Sequence, residues 1–290
     1  MDIRFVSQED IDKNKWNSCI YYARNGNIFG YYWYLTNVVK EWDALVEGDY
    51  ESVMPLIRTV GSFFKKSKLY SHPLLRSTGL YSVHVLSEKR INSFFEAIPK
   101  KLQRGYININ EGIKIPKECS WVSNKTFSNG LLLLKESYDQ IAENYSPSLC
   151  QKLERANLAQ LFTVNNLKPE VLVDFYKTYD SNFKEVHYHA YLRVMYNAIH
   201  RGWGVLSGVK NPKGGLLAAN FFMISNQRFM SLLPVVSPSG EKQGALEFLF
   251  DISIRIQAEK PMILDFNLHE YNSFAEQFGA VKSPFFQVTK

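Results

Sequence analysis

The chain has 290 residues, 46% hydrophobic and 14% aromatic, enough for one large domain or two ordinary ones with a substantial core. Charged residues make up only 21%, which argues against an extended disordered segment, and the net charge of +6 is compatible with phosphate-bearing partners such as a coenzyme or RNA. The longest apolar runs, 131–134 and 216–222, fall far short of a bilayer span, and Asp2, Arg4, Glu9, Asp10 and Asp12 interrupt any leader-like stretch, so a cytoplasmic protein without membrane insertion is expected.

In chain order, helices are predicted over about 10–23 and 31–39. The aromatic-rich stretch 21–35 that joins them reads as core or interface rather than as a stacking surface for sugars or bases. Residues 42–47 and 51–57 form a hairpin across a tight turn at Gly48-Asp49. The densest basic run, 65–68, is expected to be a solvated loop, and no nucleic-acid recognition motif accompanies it. Ser87 caps a helix carrying Ile91, Phe94, Phe95 and Ile98, and a strand follows at 106–109.

Ser146-Pro147 opens a helix to about 160, with Leu149, Leu153 and Ala156 inward, and a strand at 161–164 comes next. Helices over 168–179 and 189–200 precede three strands, 203–209, 216–224 and 229–236, with turns at 211–215 and 225–227. Pro234 cannot donate a ladder bond, so the third strand is expected to bulge or splay and expose unpaired backbone groups. A loop at 237–244 leads to an amphipathic helix, 245–258, with Leu246, Leu249, Ile252 and Ile256 on one stripe. A buried strand at 262–266, a short helix at 271–278 capped by Gly279, and a strand at 285–288 complete the chain.

This order requires α/β architecture with a mixed sheet, the three-strand meander antiparallel and the crossover strand at 262–266 parallel to its neighbour. Trp42 and Trp203 open similar hairpins, each followed by a long helix and a buried strand. The expectation is an internal duplication, with domains over 1–145 and 146–290.

Two segments carry candidate chemistry. Gly240 and Gly244 flank a helix start, where backbone N–H groups unobstructed by side chains form an anion cradle, and Lys242 and Gln243 add a charge and a donor. Past the buried strand come His269, Glu270 and Tyr271. His269 or Glu270 is placed to accept a proton from an attacking amine, and Tyr271 to protonate a leaving thiolate. Asp265 suits a structural hydrogen-bonding role. Cys19, Cys119 and Cys150 lack pairing or metal spacing and are expected to be buried thiols. His187, His189 and His200 lack a partner set, so no metal is expected.

The run 204–254, GVLSGVKNPKGGLLAANFFMISNQRFMSLLPVVSPSGEKQGALEFLFDISI, resembles the GNAT acyltransferase fold, and more closely the Fem-type group with two such domains in tandem. WDALVEGDYESVMPL, 42–56, is similar to the hairpin of the first domain in that group, and LDFNLHEYNSFAEQFGA, 264–280, to its closing strand, polar turn and short helix. The resemblance implies acyl transfer to an amine-bearing small molecule or peptide, with acyl-coenzyme A (acetyl-coenzyme A) as co-substrate. Aminoacyl-tRNA is the alternative donor, and a non-catalytic binding protein the alternative class. It implies that Leu233, Val235 and Ser237 face the pantetheine, that Gly240, Lys242, Gln243, Gly244 and Ala245 cradle phosphate, and that the first domain is non-catalytic. Two departures stand out: the glycine spacing differs from the GNAT pattern, and Asp265-Phe266-Asn267-Leu268-His269 replaces the Fem-like Asp-Phe-Glu-Gly-Ser, removing a glutamate.

Overall fold

A computed structural model describes residues 1–59, 67–181 and 183–290. The chain divides into two compact units, Met1–Ser128 with Ser283–Lys290, and Asn129–Lys282. This division falls earlier than the expected break at 145/146, because the chain passes from one unit to the other inside a long strand.

The first unit runs β1 (Ile3–Val6), α1 (Lys13–Tyr22), α2 (Tyr32–Val38), β2 (Trp42–Glu47), β3 (Ser52–Ile57), β4 (Tyr81–Ser82), α3 (Glu88–Glu96), β5 (Ile107–Ile109) and the start of β6 (Val122–Leu133). Asp12 opens α1 by accepting from the N–H groups of Asn14 and Lys15, and Ser87 opens α3 by accepting from that of Arg90. Strands β1 to β4 form an antiparallel sheet in sequence order. Both β2 and β3 are buried throughout, and the two acids in β2 are ion-paired: Asp43 with Arg58 at 2.8 Å and Glu47 with Arg90 at 2.9 Å. Their connection is a four-residue loop, not the two-residue turn expected at Gly48-Asp49. Glu47 pairs with Ser52, and both Gly48 and Tyr50 take positive φ. From the aromatic stretch, Phe29, Trp33 and Tyr34 enter the core while Tyr21 and Tyr22 stay exposed, and Trp16 meets Trp42 edge-on at 5.1 Å. Of the basic run at 65–68, Lys65 and Lys66 lie outside the described residues, and Lys68 is exposed.

The second unit takes the rest of β6 and then α4 (Tyr138–Ala142), α5 (Pro147–Leu158), β7 (Phe162–Val164), α6 (Pro169–Tyr179), α7 (Tyr188–His200), β8 (Gly204–Lys210), β9 (Leu216–Ser225), β10 (Arg228–Ser231), β11 (Val235–Val236), α8 (Pro238–Lys242), α9 (Ala245–Gln257), β12 (Ile263–Asp265) and α10 (Ser273–Glu276). The closing strand β13 (Val281–Thr289) returns to the first unit, where Phe286 to Val288 pair with β5. The sheet order is β6-β12-β10-β9-β8-β7, antiparallel except for the parallel β10–β12 pair, as the crossover through α9 requires. After α7, Gly202 takes φ +70°, its N–H bonds Ile199 O, and Trp203 N–H reaches Ala198 O at 2.8 Å, a Schellman closure. The β9–β10 turn is the two residues Asn226 and Gln227, both at positive φ, which matches the twist of a tight hairpin.

Helix α9 fixes the sheet's core. Phe250 lies 5.5 Å from both Phe222 and Phe266 and 5.0 Å from Phe274, and each buried phenylalanine contributes about 1.5–3 kcal/mol. The buried face is rotated from the expected stripe. Phe250, Asp251 and Ile254 point inward, while Ile256 is 57% exposed. Asp251 is tolerated there because the hydroxyls of Tyr138 and Tyr145 donate to it at 2.8 and 3.1 Å. Cys19 and Cys119 are buried as expected; Cys150, on α5, is exposed.

The order helix, helix, hairpin occurs twice, as α1, α2, β2–β3 and as α6, α7, β8–β9; β4 then precedes α3 and β5 in the first half, whereas β10, β11 and α8 precede α9 and β12 in the second. Trp42 begins β2, and Trp203 immediately precedes β8.

Candidate active site

The site begins with one extra residue. Ser231 pairs with Phe222 and Val235 with Ala219, so Leu232, Leu233 and Pro234 lie opposite only Asn220 and Phe221. This β-bulge divides what the sequence reads as one strand, 229–236, into β10 and β11. Before it, β10 runs parallel to β12 as far as Met230 opposite Asp265; after it, β11 pairs with β9 alone. The sheet therefore opens between β11 and the chain following β12.

The bulge leaves fewer free backbone groups than expected. Leu232 N–H donates to Phe221 O at 2.8 Å, and Pro234 has no N–H. The amide freed by the bulge, Leu233 N–H, is taken by Asn220 Oδ1 at 3.1 Å, while Asn220 Nδ2 donates to Ser231 Oγ at 3.0 Å. Asn220 is fully buried, and its side chain closes the gap that the bulge opens.

Beyond β11 the expected loop at 237–244 contains a helix. Ser237 caps α8: its Oγ accepts from Gly240 N–H at 3.1 Å and donates to Leu217 O at 3.2 Å. Gly240 packs so closely on β9 that a Cβ there would sit 2.4 Å from Leu217 O. Gln243 N–H bonds Gly240 O and Gly244 N–H bonds Glu241 O, both closing α8. Gly244 takes φ +69°, and a Cβ on it would lie 2.6 Å from Lys152 O on α5. Leu233, Val235, Ser237, Gly240, Gly244 and Ala245 are buried, Gln243 is half-buried, and Lys242 is exposed.

The donors that remain are those every helix start leaves over. Phe248 N–H is the first in α9 to bond back, to Gly244 O, so Ala245, Leu246 and Glu247 have N–H groups without intrahelical acceptors. A carboxylate of the chain itself stands in that first turn. Glu247 is buried and forms an ion pair with Lys152 Nζ at 2.7 Å.

The turn after β12 hangs on Asp265, which is 1% exposed. Its Oδ1 accepts from Asn267 N–H and Asn129 Nδ2, each at 2.8 Å, and its Oδ2 from Arg228 Nη1 at 2.7 Å. Asn129 Oδ1 in turn accepts from Leu268 N–H at 2.8 Å, and Asn267 takes φ +57°. The structural role read for Asp265 in the sequence is what the side chain performs. The turn presents His269 and Glu270 exposed. Tyr271 is half-buried against Gly130, and its hydroxyl donates to Ala280 O at 2.6 Å. Burial, with Glu276 nearby, pushes its phenol above the ordinary value. His187 is pushed down by burial and by Lys184, and no group of three or more His, Cys, Asp or Glu side chains gathers among the described residues.

Three residues that the sequence reading passed over therefore shape the site: Asn129, Asn220 and Glu247. Asn129 and Asn220 carry the same signal, an amide inside an otherwise apolar strand (SNGLLLL and LLAANFFMIS), where a buried polar side chain needs a partner.

Comparison with solved structures places this arrangement in a class. A FemX structure superposes with a TM-score of 0.65 at 11% identity, over 99% of this chain and 97% of that one. The structure of L-PGS from Bacillus licheniformis gives 0.57 at 11%, over 96% and 91%. A tandem GNAT protein from the clavulanic acid biosynthesis pathway gives 0.54 at 12%, over 99% and 98%. No protein-family model matches the chain, and no curated protein matches it in sequence. The fold is thus that of the tandem GNAT proteins. The similarity to the FemX structure agrees with the fold that the sequence resemblance implies. Among the described residues no helix is long and apolar enough to cross a membrane.

Proposed function

We propose that the chain is an N-acyltransferase that moves an acyl group from an activated carrier to an amine by direct attack, in the opening between β11 and the turn 266–270. One observation carries the reading: the single-residue bulge at 232–234, which parts β11 from β12 while β10 and β12 stay paired. An extended carrier arm lies naturally along such a parted strand, with Leu233 and Val235 beneath it and Ser237 at its end. Its phosphates lie toward the α9 start, with Gly240, Lys242, Gln243, Gly244 and Ala245 around them.

The amine nitrogen attacks the acyl carbonyl carbon and forms the amide C–N bond, and the carbon–sulfur or carbon–oxygen bond to the carrier breaks. The nitrogen loses one proton and the departing thiolate or alkoxide gains one. No protein nucleophile is needed, and proximity supplies much of the acceleration. His269 and Glu270, exposed on the turn, are the groups positioned to take the proton. Tyr271 delivers a proton only by leaving Ala280 O.

Acyl-coenzyme A is the first donor proposed. Aminoacyl-tRNA is the alternative; because the Gly240 and Gly244 N–H groups are spent within α8, the phosphates of either donor fall to the N–H groups of the α9 start and to Lys242. The test is carrier release in the presence of an amine panel, for wild type and for His269→Ala, Glu270→Ala and Tyr271→Phe. The expected result is a loss on the order of 10²-fold for His269→Ala or Glu270→Ala with donor affinity unchanged, and a much smaller loss for Tyr271→Phe. Equal release by wild type and all three variants overturns the assignment. Donor binding without release from any amine supports a non-catalytic binding protein of the same fold.

A further inference from the structure

The α9 start carries a charge that works against a phosphate there. Glu247 is buried in the first turn of α9, beside the N–H groups that have no intrahelical acceptor. A carboxylate in that turn steadies the helix, but it repels a phosphate brought to the same place.

Lys152 removes the conflict. Its Nζ donates to Glu247 Oε1 at 2.7 Å and to Gln277 Oε1 at 3.3 Å. The Lys152 side chain is 29% exposed and that of Glu247 10%, so water screens this pair less than it screens an exposed pair such as Lys15–Asp49. Backbone packing fixes its place. Lys152 O lies so near Gly244 that a Cβ on that glycine would sit 2.6 Å from it. One residue of α5 thus meets both the glycine that opens α9 and the acid in its first turn. In α8 and that turn the charged side chains are Glu241, Lys242 and Glu247, and Lys152 makes the charges even.

We infer that Lys152 is a positioning residue for the donor: by neutralising Glu247 it leaves the α9 start open to the carrier's phosphates, without touching the carrier itself. This role rests on the proposed donor site and names the residue that sets its charge.

The test uses the full chain and reads affinity by calorimetric titration. The probes are coenzyme A, an RNA hairpin ending in CCA, and pantetheine, which is the coenzyme's arm without phosphate. For whichever phosphate-bearing probe binds wild type, Lys152→Met is expected to weaken binding at least about fivefold and Glu247→Gln to tighten it at least about threefold, because the two changes leave opposite charges. The double variant is expected within about threefold of wild type, with pantetheine affinity the same in all four proteins. Glu247→Gln keeps the side chain's shape and an acceptor for Lys152, so it decides the matter even where Lys152→Met melts below the titration temperature. A purely structural pair does not shift affinity in opposite directions. Binding by Glu247→Gln that is equal to or weaker than wild type overturns the role of Lys152 and leaves the donor site standing. A change in pantetheine binding as large as that of the phosphate-bearing probe does the same. No binding of either phosphate-bearing probe to wild type overturns the donor site itself, and this role with it.

Discussion

Asn220 is the residue whose removal tests the geometry of the bulge most sharply. Replacing it with Ala deletes the acceptor of Leu233 N–H and the donor to Ser231 Oγ, at positions where Asn220, Ser231 and Leu233 are all buried. The Ser231 hydroxyl can turn toward another acceptor, but the Leu233 amide is fixed by the backbone. One buried N–H left unsatisfied costs about 1–3 kcal/mol, and the lost second bond and small void bring the total to roughly 3 kcal/mol. In a unit of this size each kcal/mol moves Tm by about 2–4 °C, so Asn220→Ala is expected to melt roughly 6–12 °C below wild type. Differential scanning calorimetry measures this directly, and amide exchange at Leu233 should quicken more than at Val235. A loss of less than about 2 °C would show that the Leu233 amide has another partner and that the bulge is not closed by Asn220.

Gly244→Ala and Gly214→Ala both place a side chain at positive φ, φ +69° and φ +84°, which costs about 1–2 kcal/mol. Only Gly244 also meets backbone, Lys152 O at 2.6 Å, while nothing lies near Gly214, so urea unfolding should find Gly244→Ala the more destabilised by at least about 1 kcal/mol; equal losses would remove the close approach from the account. Glu47 is pushed up by burial, but Arg90 and the Ser52 hydroxyl outweigh this and hold it below the ordinary carboxylate value. A carboxyl lowered by folding contributes stability above its unfolded pKa of about 4.3 and loses it as pH falls through the folded value. Arg90→Met should therefore cost about 3 kcal/mol near pH 7 and progressively less as pH drops below about 5, read from urea midpoints at several pH values. A penalty that is constant with pH would contradict the pairing.

Much of the fold was legible because local chemistry marks element ends. Ser87 and Ser146 accept from the N–H groups of helix starts, Gly202 and Gly279 take the left-handed conformation past helix ends, and Asn226-Gln227 makes the β9–β10 turn. Pro234 likewise announced the bulge. What stayed hidden depends on partners distant in sequence. The first half of β6, VSNKTF, is largely exposed and shows no alternation, so it does not read as a strand until its neighbours are known. Helix α8 begins with a plain Ser-Pro start, but its five residues include Gly240, whose fitness comes from the closeness of Leu217 O on β9. The turn bearing His269 is held through Asn129, which meets Asp265 across 136 positions of sequence. Spacing alone places Ile256 inward, whereas Asp251 takes the buried side because Tyr138 and Tyr145 supply donors from α4 and the following turn.

The central claim, transfer by direct attack at the parted strand, is tested most directly by mass spectrometry of a single reaction mixture. Wild-type protein, an amine panel and either acetyl-coenzyme A or an aminoacyl-tRNA are incubated, and both the small-molecule products and the intact protein are weighed over time. The account predicts an amide carrying the donor's acyl group from one of the two donors, with the protein mass unchanged throughout, because no side chain takes the acyl group on the way. An acylated protein that forms before the amide and decays into it would contradict direct attack, and no amide from either donor would contradict the transferase reading itself.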